Sequence, residues 1–189
     1  SLLSESDTIS NIQIVSDELF STIENLNDLV NIYAEKEDNM QLLSMNSFVD
    51  KVLDVLYKSI KQKGIQVLNY VPNSLKILCL PAYLESILFN LITNAIKYSD
   101  PNKEPKIVLT TETKDDFVIL NIKDNGLGID LAKHKDSIFG LYKTFHRNND
   151  ARGVGLYLTK NQIENMGGKI EVESNLNLGT TFKVYFKKG

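Results

Sequence analysis

A single cysteine among 189 residues excludes any disulfide within the chain and suits a reducing compartment. That residue, Cys79, sits in the apolar run from Leu75 to Leu80, where a thiol reads as part of a buried strand rather than as a reactive group. Long hydrophobic stretches are also missing. None approaches the roughly 18 residues of a membrane span, and no charged segment at the N-terminus leads into an apolar one. No membrane contact is expected of this stretch, and a cytoplasmic setting is, with a membrane anchor elsewhere in a longer protein still compatible. Charge of one sign is scarce as well: a net charge of −3 creates no field that would concentrate a polyanion, so nucleic acid is not expected as a partner. What remains, 42% apolar and 24% charged residues, is enough for one core with an appendage or for two small domains.

The first stretch, from about Ser6 to Ala34, is polar except for the stripe Ile9, Ile12, Ser16, Leu19, Ile23, Leu26, Val30 and Tyr33, interrupted by the one polar residue Ser16. These positions step alternately by three and four, the seam of a long helix packed on other helices. The charged run Glu35-Lys36-Glu37-Asp38-Asn39 follows as a linker, dividing the chain into residues 1–38 and 39–189. A second amphipathic helix is expected from Asn46 to Lys63, with Phe48, Val52, Leu56 and Ile60 on one face and Gly64 ending it. Short strand-like runs come next, Ile65 to Val71 and Leu75 to Leu80. Pro81 opens a helix reaching Tyr98, where its missing N–H does no harm. Lys106 to Thr113 and Phe117 to Asp124 read as an antiparallel pair. A loop-rich stretch from Asn125 to Arg152 leads to a helix from Val154 to Met166, closed by Gly167-Gly168, and then to a hairpin of Lys169 to Ser174 with Thr180 to Lys187. Strands grouped beside helices without regular alternation predict an α+β fold, a two-layer sandwich with helices on one face of a mixed sheet, preceded by the long seam helix.

Four segments carry chemistry. On the helix from Pro81 to Tyr98, Leu84, Leu88, Leu91, Ile92 and Ala95 form an apolar face. Ser86, Asn90, Asn94 and Lys97 stack along another side. A carboxamide oxygen is a neutral hard ligand suited to Mg²⁺, and a lysine beside it balances phosphate charge; a merely solvated face would produce the same stripe. Asp124-Asn125-Gly126-Leu127-Gly128-Ile129 follows a strand, so a carboxylate there can accept from the exocyclic amine of adenine while the glycines admit a flat ligand, although a tight Asn-Gly turn has the same spelling. Arg152-Gly153-Val154-Gly155-Leu156 opens a helix whose free N–H groups make an anion site, a common pattern by itself. In Gly179-Thr180-Thr181-Phe182 the hydroxyls either support the hairpin or reach a ligand.

In this order the segments resemble the catalytic ATP-binding domain of sensor histidine kinases, within the GHKL superfamily that includes gyrase and MutL, and the resemblance runs from about Asn46 to Phe186. Asn90 to Tyr98 is similar to the N box, Asp124 to Gly128 to the G1 box, Ile138 to Phe145 to the F box, Gly153 to Leu156 to the G2 box, and Gly179-Thr180-Thr181 to the last glycine-threonine element. The resemblance implies a Bergerat-type ATP-binding fold with ATP and Mg²⁺ as cofactors. Asn94 would hold the metal, with Asn90 beside it as a second candidate ligand, and Lys97 and Tyr98 would line the phosphate and ribose side. Asp124 would take the adenine amine, with Gly126, Gly128, Ile129, Phe139, Tyr142, Val154, Leu156 and Thr180 around the nucleotide. Gly153 and Gly155 would hinge a lid, the loop from Lys133 to Arg152. Asn90, Lys97 and Lys143 would act in phosphoryl transfer, with Arg147 and Arg152 as further candidates for the γ-phosphate.

Two departures bear on function. Hydrolytic members of the superfamily place a glutamate four residues before the metal-binding asparagine, where this chain has Asn90. An amide is no general base, so transfer to a protein acceptor is favoured over hydrolysis. Gly140-Leu141-Tyr142 stands where the F box usually reads Glu-Pro-Phe, and Ala151-Arg152 where G2 usually carries a further glycine. The resemblance implies a protein histidine kinase of a two-component system, a homodimer through its stem, with the receiver domain of a response regulator as partner. Thr8 to Ala34 looks like the second stem helix, and Ile12, Leu19, Ile23, Leu26 and Val30 would face the partner. The only histidines, His134 and His146, fall within the lid, His134 as an exposed loop residue, so this chain lacks the phosphoacceptor. The alternatives are a degenerate nucleotide-binding or interaction platform and a GHKL serine kinase or ATPase.

Overall fold

The computed structural model describes residues 39–134, 137–141 and 154–188. The seam helix from Thr8 to Ala34 and the dimer contacts through it lie outside the described residues, as do Lys143, Tyr142, His146, Arg147, Arg152 and Gly153. Among the described residues no helix is long and apolar enough to cross a membrane.

The chain runs β1 (Gln41–Ser44), α1 (Met45–Gln62), β2 (Gln66–Asn69), β3 (Lys76–Cys79), α2 (Pro81–Lys97), β4 (Lys106–Lys114), β5 (Phe117–Asp124), a single turn α3 (Leu131–His134), α4 (Gly155–Asn165), β6 (Lys169–Asn175) and β7 (Gly179–Lys187). The main sheet has the order β2-β4-β5-β7-β6. Its β2–β4 pair is parallel and the remaining pairs are antiparallel, so the sheet is mixed as expected. β1 has no pattern of its own in the sequence. It is a strand because β3 offers it an antiparallel edge, Gln41 opposite Cys79 through Ser44 opposite Lys76.

Alternation decides which face of the sheet is covered. Ile107 and Leu109 of β4, Val118, Leu120 and Ile122 of β5, and Phe182, Val184 and Phe186 of β7 are all buried, and their pairing register places them on one side. On the other side β6 and β7 present Lys169, Glu171, Glu173 and Lys183, joined by exposed ion pairs. Helices therefore cover a single face.

α1 begins one residue earlier than expected, and its buried stripe is Met45, Val49, Val52 and Leu56. Phe48 and Ile60, expected on that face, are only half-buried. Gly64 ends this helix with φ +62°. Its N–H meets Lys61 O at 3.1 Å and that of Ile65 meets Ile60 O at 3.0 Å, the paired bonds of a Schellman turn. α2 is buried more completely than a single amphipathic face requires: Tyr83, Ile87 and Ile96 join the five expected residues. It touches β5, α1 and α4 together. The Lys63 ammonium caps this helix by donating to Ile96 O at 2.8 Å.

Candidate functional site

The stripe of Ser86, Asn90 and Asn94 is not a solvated face, because the side of α2 that carries it packs against α4. Asn90 Nδ2 donates to Thr159 Oγ1 at 2.7 Å, and Asn94 Nδ2 donates to Asn90 Oδ1 at 3.5 Å. One turn earlier, Gln162 Nε2 donates to Ser86 Oγ at 3.1 Å. Gly155, the first residue of α4, lies so close to Asn90 that a Cβ there would sit 2.3 Å from Oδ1. Its φ is not positive. The glycine leaves room for close approach of the Asn90 amide. Val154, the N-cap, is buried, while Leu156 is half-buried in the first turn of α4. The N–H groups of that first turn have no partner inside the helix.

At the other end of α2 the chain meets the loop that follows β5. Leu127 N–H donates to Tyr98 O at 3.0 Å, and a Cβ on Gly126 would fall 2.3 Å from the same oxygen. Gly128 has φ +67°, and a Cβ there would collide with the Asn175 carbonyl at 1.9 Å, so only glycine lets this loop lie on the β6–β7 tip. Ile129 N–H donates to Ser174 Oγ at 2.7 Å, and Asn177 N–H to Leu127 O at 2.7 Å. Asn125 is spent on structure: its amide spans Glu104 O and Lys106 N–H, both at 2.8 Å.

Asp124 closes β5 and is 9% exposed. Its Oδ1 accepts from Gly126 N–H at 2.8 Å and Thr180 N–H at 3.2 Å. Burial pushes its carboxyl above the usual value, and the two amides and the Lys103 ammonium pull against that shift. Lys103 holds the surroundings together: it pairs with Asp100 at 3.2 Å and donates to the Asn125 and Asn177 carbonyls. Thr180 contributes through its backbone, while its hydroxyl is 2.9 Å from Ser174 Oγ.

The stripe on α2 is thus bounded by two glycine contacts, Gly155 at Asn90 and Gly126 at Tyr98. These residues are eight apart, about 12 Å of helix at 1.5 Å per residue. Lys97 and Tyr98 lie at the Tyr98 end, both half-buried, with the ammonium 5.9 Å from the Tyr98 ring. In the segment 137–141, Ile138 is anchored in the core and Phe139 is half-buried beside it. His134, expected as an exposed loop residue, instead ends the turn α3, formed as its N–H and that of Lys133 both bond to Asp130 O, and is half-buried.

Thr159, Ser174 and Lys103 were not singled out from the sequence. A signal for the first existed: Gly155, Thr159 and Gln162 are spaced as one side of a helix, the counterpart of Ser86, Asn90 and Asn94. Lys103 and Ser174 carry no such periodic mark.

Residues 80–189 match the family model described as Histidine kinase-, DNA gyrase B-, and HSP90-like ATPase. Cyanobacterial phytochrome B of Nostoc sp. is 31% identical over 149 residues, which cover 76% of this chain and 19% of that protein. The signal transduction histidine-protein kinase ArlS of Staphylococcus aureus is 36% identical over 117 residues, 60% of this chain and 25% of the relative. The chain therefore spans about a quarter or less of the length of these relatives. Among solved structures, the Acinetobacter baumannii histidine kinase AdeS superposes with a TM-score of 0.75 at 22% identity, covering 100% of this chain and 87% of that one. The catalytic domain of the histidine kinase ThkA gives 0.67 at 23%, covering 79% and 95%; these two likenesses speak to the fold alone. With the family model covering more than half of the chain, one assignment follows: the chain belongs to the Histidine kinase-, DNA gyrase B-, and HSP90-like ATPase family, and within it is similar to a part of sensor histidine kinases.

Proposed function

We propose that this chain binds ATP with Mg²⁺ and serves as the kinase part of a two-component system, passing the γ-phosphate to a histidine on a stem segment that it does not itself carry. The observation that carries the proposal is that a buried carboxylate, Asp124, and the amide edge of Asn90 and Asn94 are each tied to α2 by a glycine contact, Gly126 at Tyr98 and Gly155 at Asn90. Asp124 Oδ1 is committed to two backbone amides, and its second oxygen is left to accept from a donor such as the adenine amine. Guanine would present a carbonyl there and be repelled.

The donor set fits a metal that arrives with its nucleotide. Among the described residues no three His, Cys, Asp or Glu side chains are grouped to hold an ion, and none of them donates a hydrogen bond to Asn94 Oδ1. Mg²⁺ commonly keeps several waters and takes few protein ligands beside phosphate oxygens. Asn94 would hold it and Asn90 would support Asn94, while the ion would neutralise charge on the transferred phosphoryl group. Lys97, and Lys143 from the lid, would offset the remaining negative charge. Asn90 cannot activate water, since both ends of its amide are engaged and neither is basic, which supports transfer over hydrolysis. A homodimer through residues 1–38, a response-regulator receiver domain as phosphate acceptor, and a cytoplasmic position belong to the same proposal.

Calorimetric titration of the chain with ATP and Mg²⁺ tests it. Binding is expected, weakened about tenfold or more by Asp124→Ala and by Asn94→Ala, since each removes a hydrogen bond or ligand to a charged partner. A chain that binds no nucleotide would end this reading. Adding a separate stem that carries a histidine, with labelled ATP, is expected to yield phosphohistidine; tight binding without it would remove the kinase part alone.

A further inference from the structure

Two packed helices ordinarily meet through apolar side chains, yet the side of α2 that faces α4 carries a row of polar ones. Ser86 meets Gln162 and Asn90 meets Thr159, with Gly155 completing the row. Thr159 is 1% exposed and Gln162 3% exposed, and a hydroxyl buried to that degree is costly unless it is bonded. Gln162 Oε1 has no hydrogen-bond partner among the described residues, so the row is not merely an economical way of joining two helices. Valine would fill the volume of Thr159 without a polar atom to satisfy.

We propose that Thr159 is a positioning residue for the metal end of the nucleotide site, an inference that rests on the function proposed above. A terminal amide rotates between two nearly equivalent faces, and which face it presents is decided by its neighbours. Thr159 Oγ1 accepts from Asn90 Nδ2 at 2.7 Å, which turns Asn90 Oδ1 toward Asn94. That oxygen accepts from Asn94 Nδ2 and so leaves Asn94 Oδ1 as the atom offered to a cation. Without the hydroxyl the Asn90 amide is free to reverse. It then presents a donor to the Asn94 donor, and Asn94 loses the contact that keeps its oxygen outward. Gly155 lies beside the amide and allows this packing, since a Cβ would displace Oδ1. Such orienting contacts behind a ligand typically account for about 10–100-fold in metal affinity.

The test is titration of the whole chain with ATP in Mg²⁺ and again in chelator, for the wild type, Thr159→Val and Thr159→Ser. Mg²⁺ is expected to strengthen wild-type binding. Thr159→Val is expected to lose about tenfold of that gain with unchanged affinity in chelator and an unchanged or higher melting temperature, and Thr159→Ser to restore the gain. Equal weakening by Thr159→Val with and without Mg²⁺ would make Thr159 merely structural, and full retention of the Mg²⁺ gain would also overturn the proposal. A wild-type chain that binds no ATP would overturn both this inference and the function beneath it.

Discussion

Asp124 is a residue whose burial works against the fold at neutral pH, as a carboxylate proposed to serve a site would. Burial raises its folded-state pKa above the ordinary 3.8, so the folded chain holds that proton more tightly than the unfolded one. The favourable contribution is therefore complete below pH 3.8 and is lost as pH rises through the raised value, leaving a charged, partly desolvated carboxylate at neutral pH. Asp124→Asn keeps an acceptor for Gly126 and Thr180, and is expected to raise the melting temperature at pH 7 while abolishing the preference for adenine nucleotide. The stabilisation should shrink as the melts are repeated toward pH 3.8. Gly128 is the opposite kind of residue, one that the fold itself demands. Gly128→Ala combines φ +67° with a collision at the Asn175 carbonyl, so urea denaturation should show a loss exceeding the roughly 1–2 kcal/mol of the left-handed conformation alone. Asn-Gly and Gly-x-Gly spellings pointed to these positions, but the need for close approach at Gly155 came from Asn90, 65 positions earlier in the sequence, and could not be read locally.

At the scale of the element, α2 is the piece on which the rest is hung. Its start at Pro81, its end near Tyr98 and its apolar residues were legible because all three are local matters of capping and period. Its second apolar side was not, because Tyr83, Ile87 and Ile96 lie outside the single stripe that the period marks, and their burial depends on packing. Leu91, fully buried, is expected to cost about 2–5 kcal/mol when changed to Ala. Phe89→Ala, two residues away at 43% exposure, should stay near ~0.5 kcal/mol. Urea unfolding with an unchanged slope would measure both, and equal losses would mean that α2 is not the buried centre described.

Across the whole molecule, one thiol reports on opening. Cys79 is fully buried between Leu80 and Met166 Sδ at 3.3 Å, and burial pushes its pKa up to about 12. Alkylation at pH 8 is expected to be many-fold slower in the native chain than in denaturant, with a rate that follows unfolding; fast native labelling would show that β3 opens locally. The sequence by itself determined the element types, most of their ends, the mixed α+β class and the order of the chemical segments, because periodicity, capping and turn chemistry act over a few residues. Only the tertiary structure decided that β1 is a strand, that Asn125 is spent on the backbone, and that Asn90 faces Thr159 and Asp124 faces Thr180. Those contacts join residues 69 and 56 positions apart. No local pattern encodes them, because they arise only when apolar burial has closed the sheet and helices upon one another.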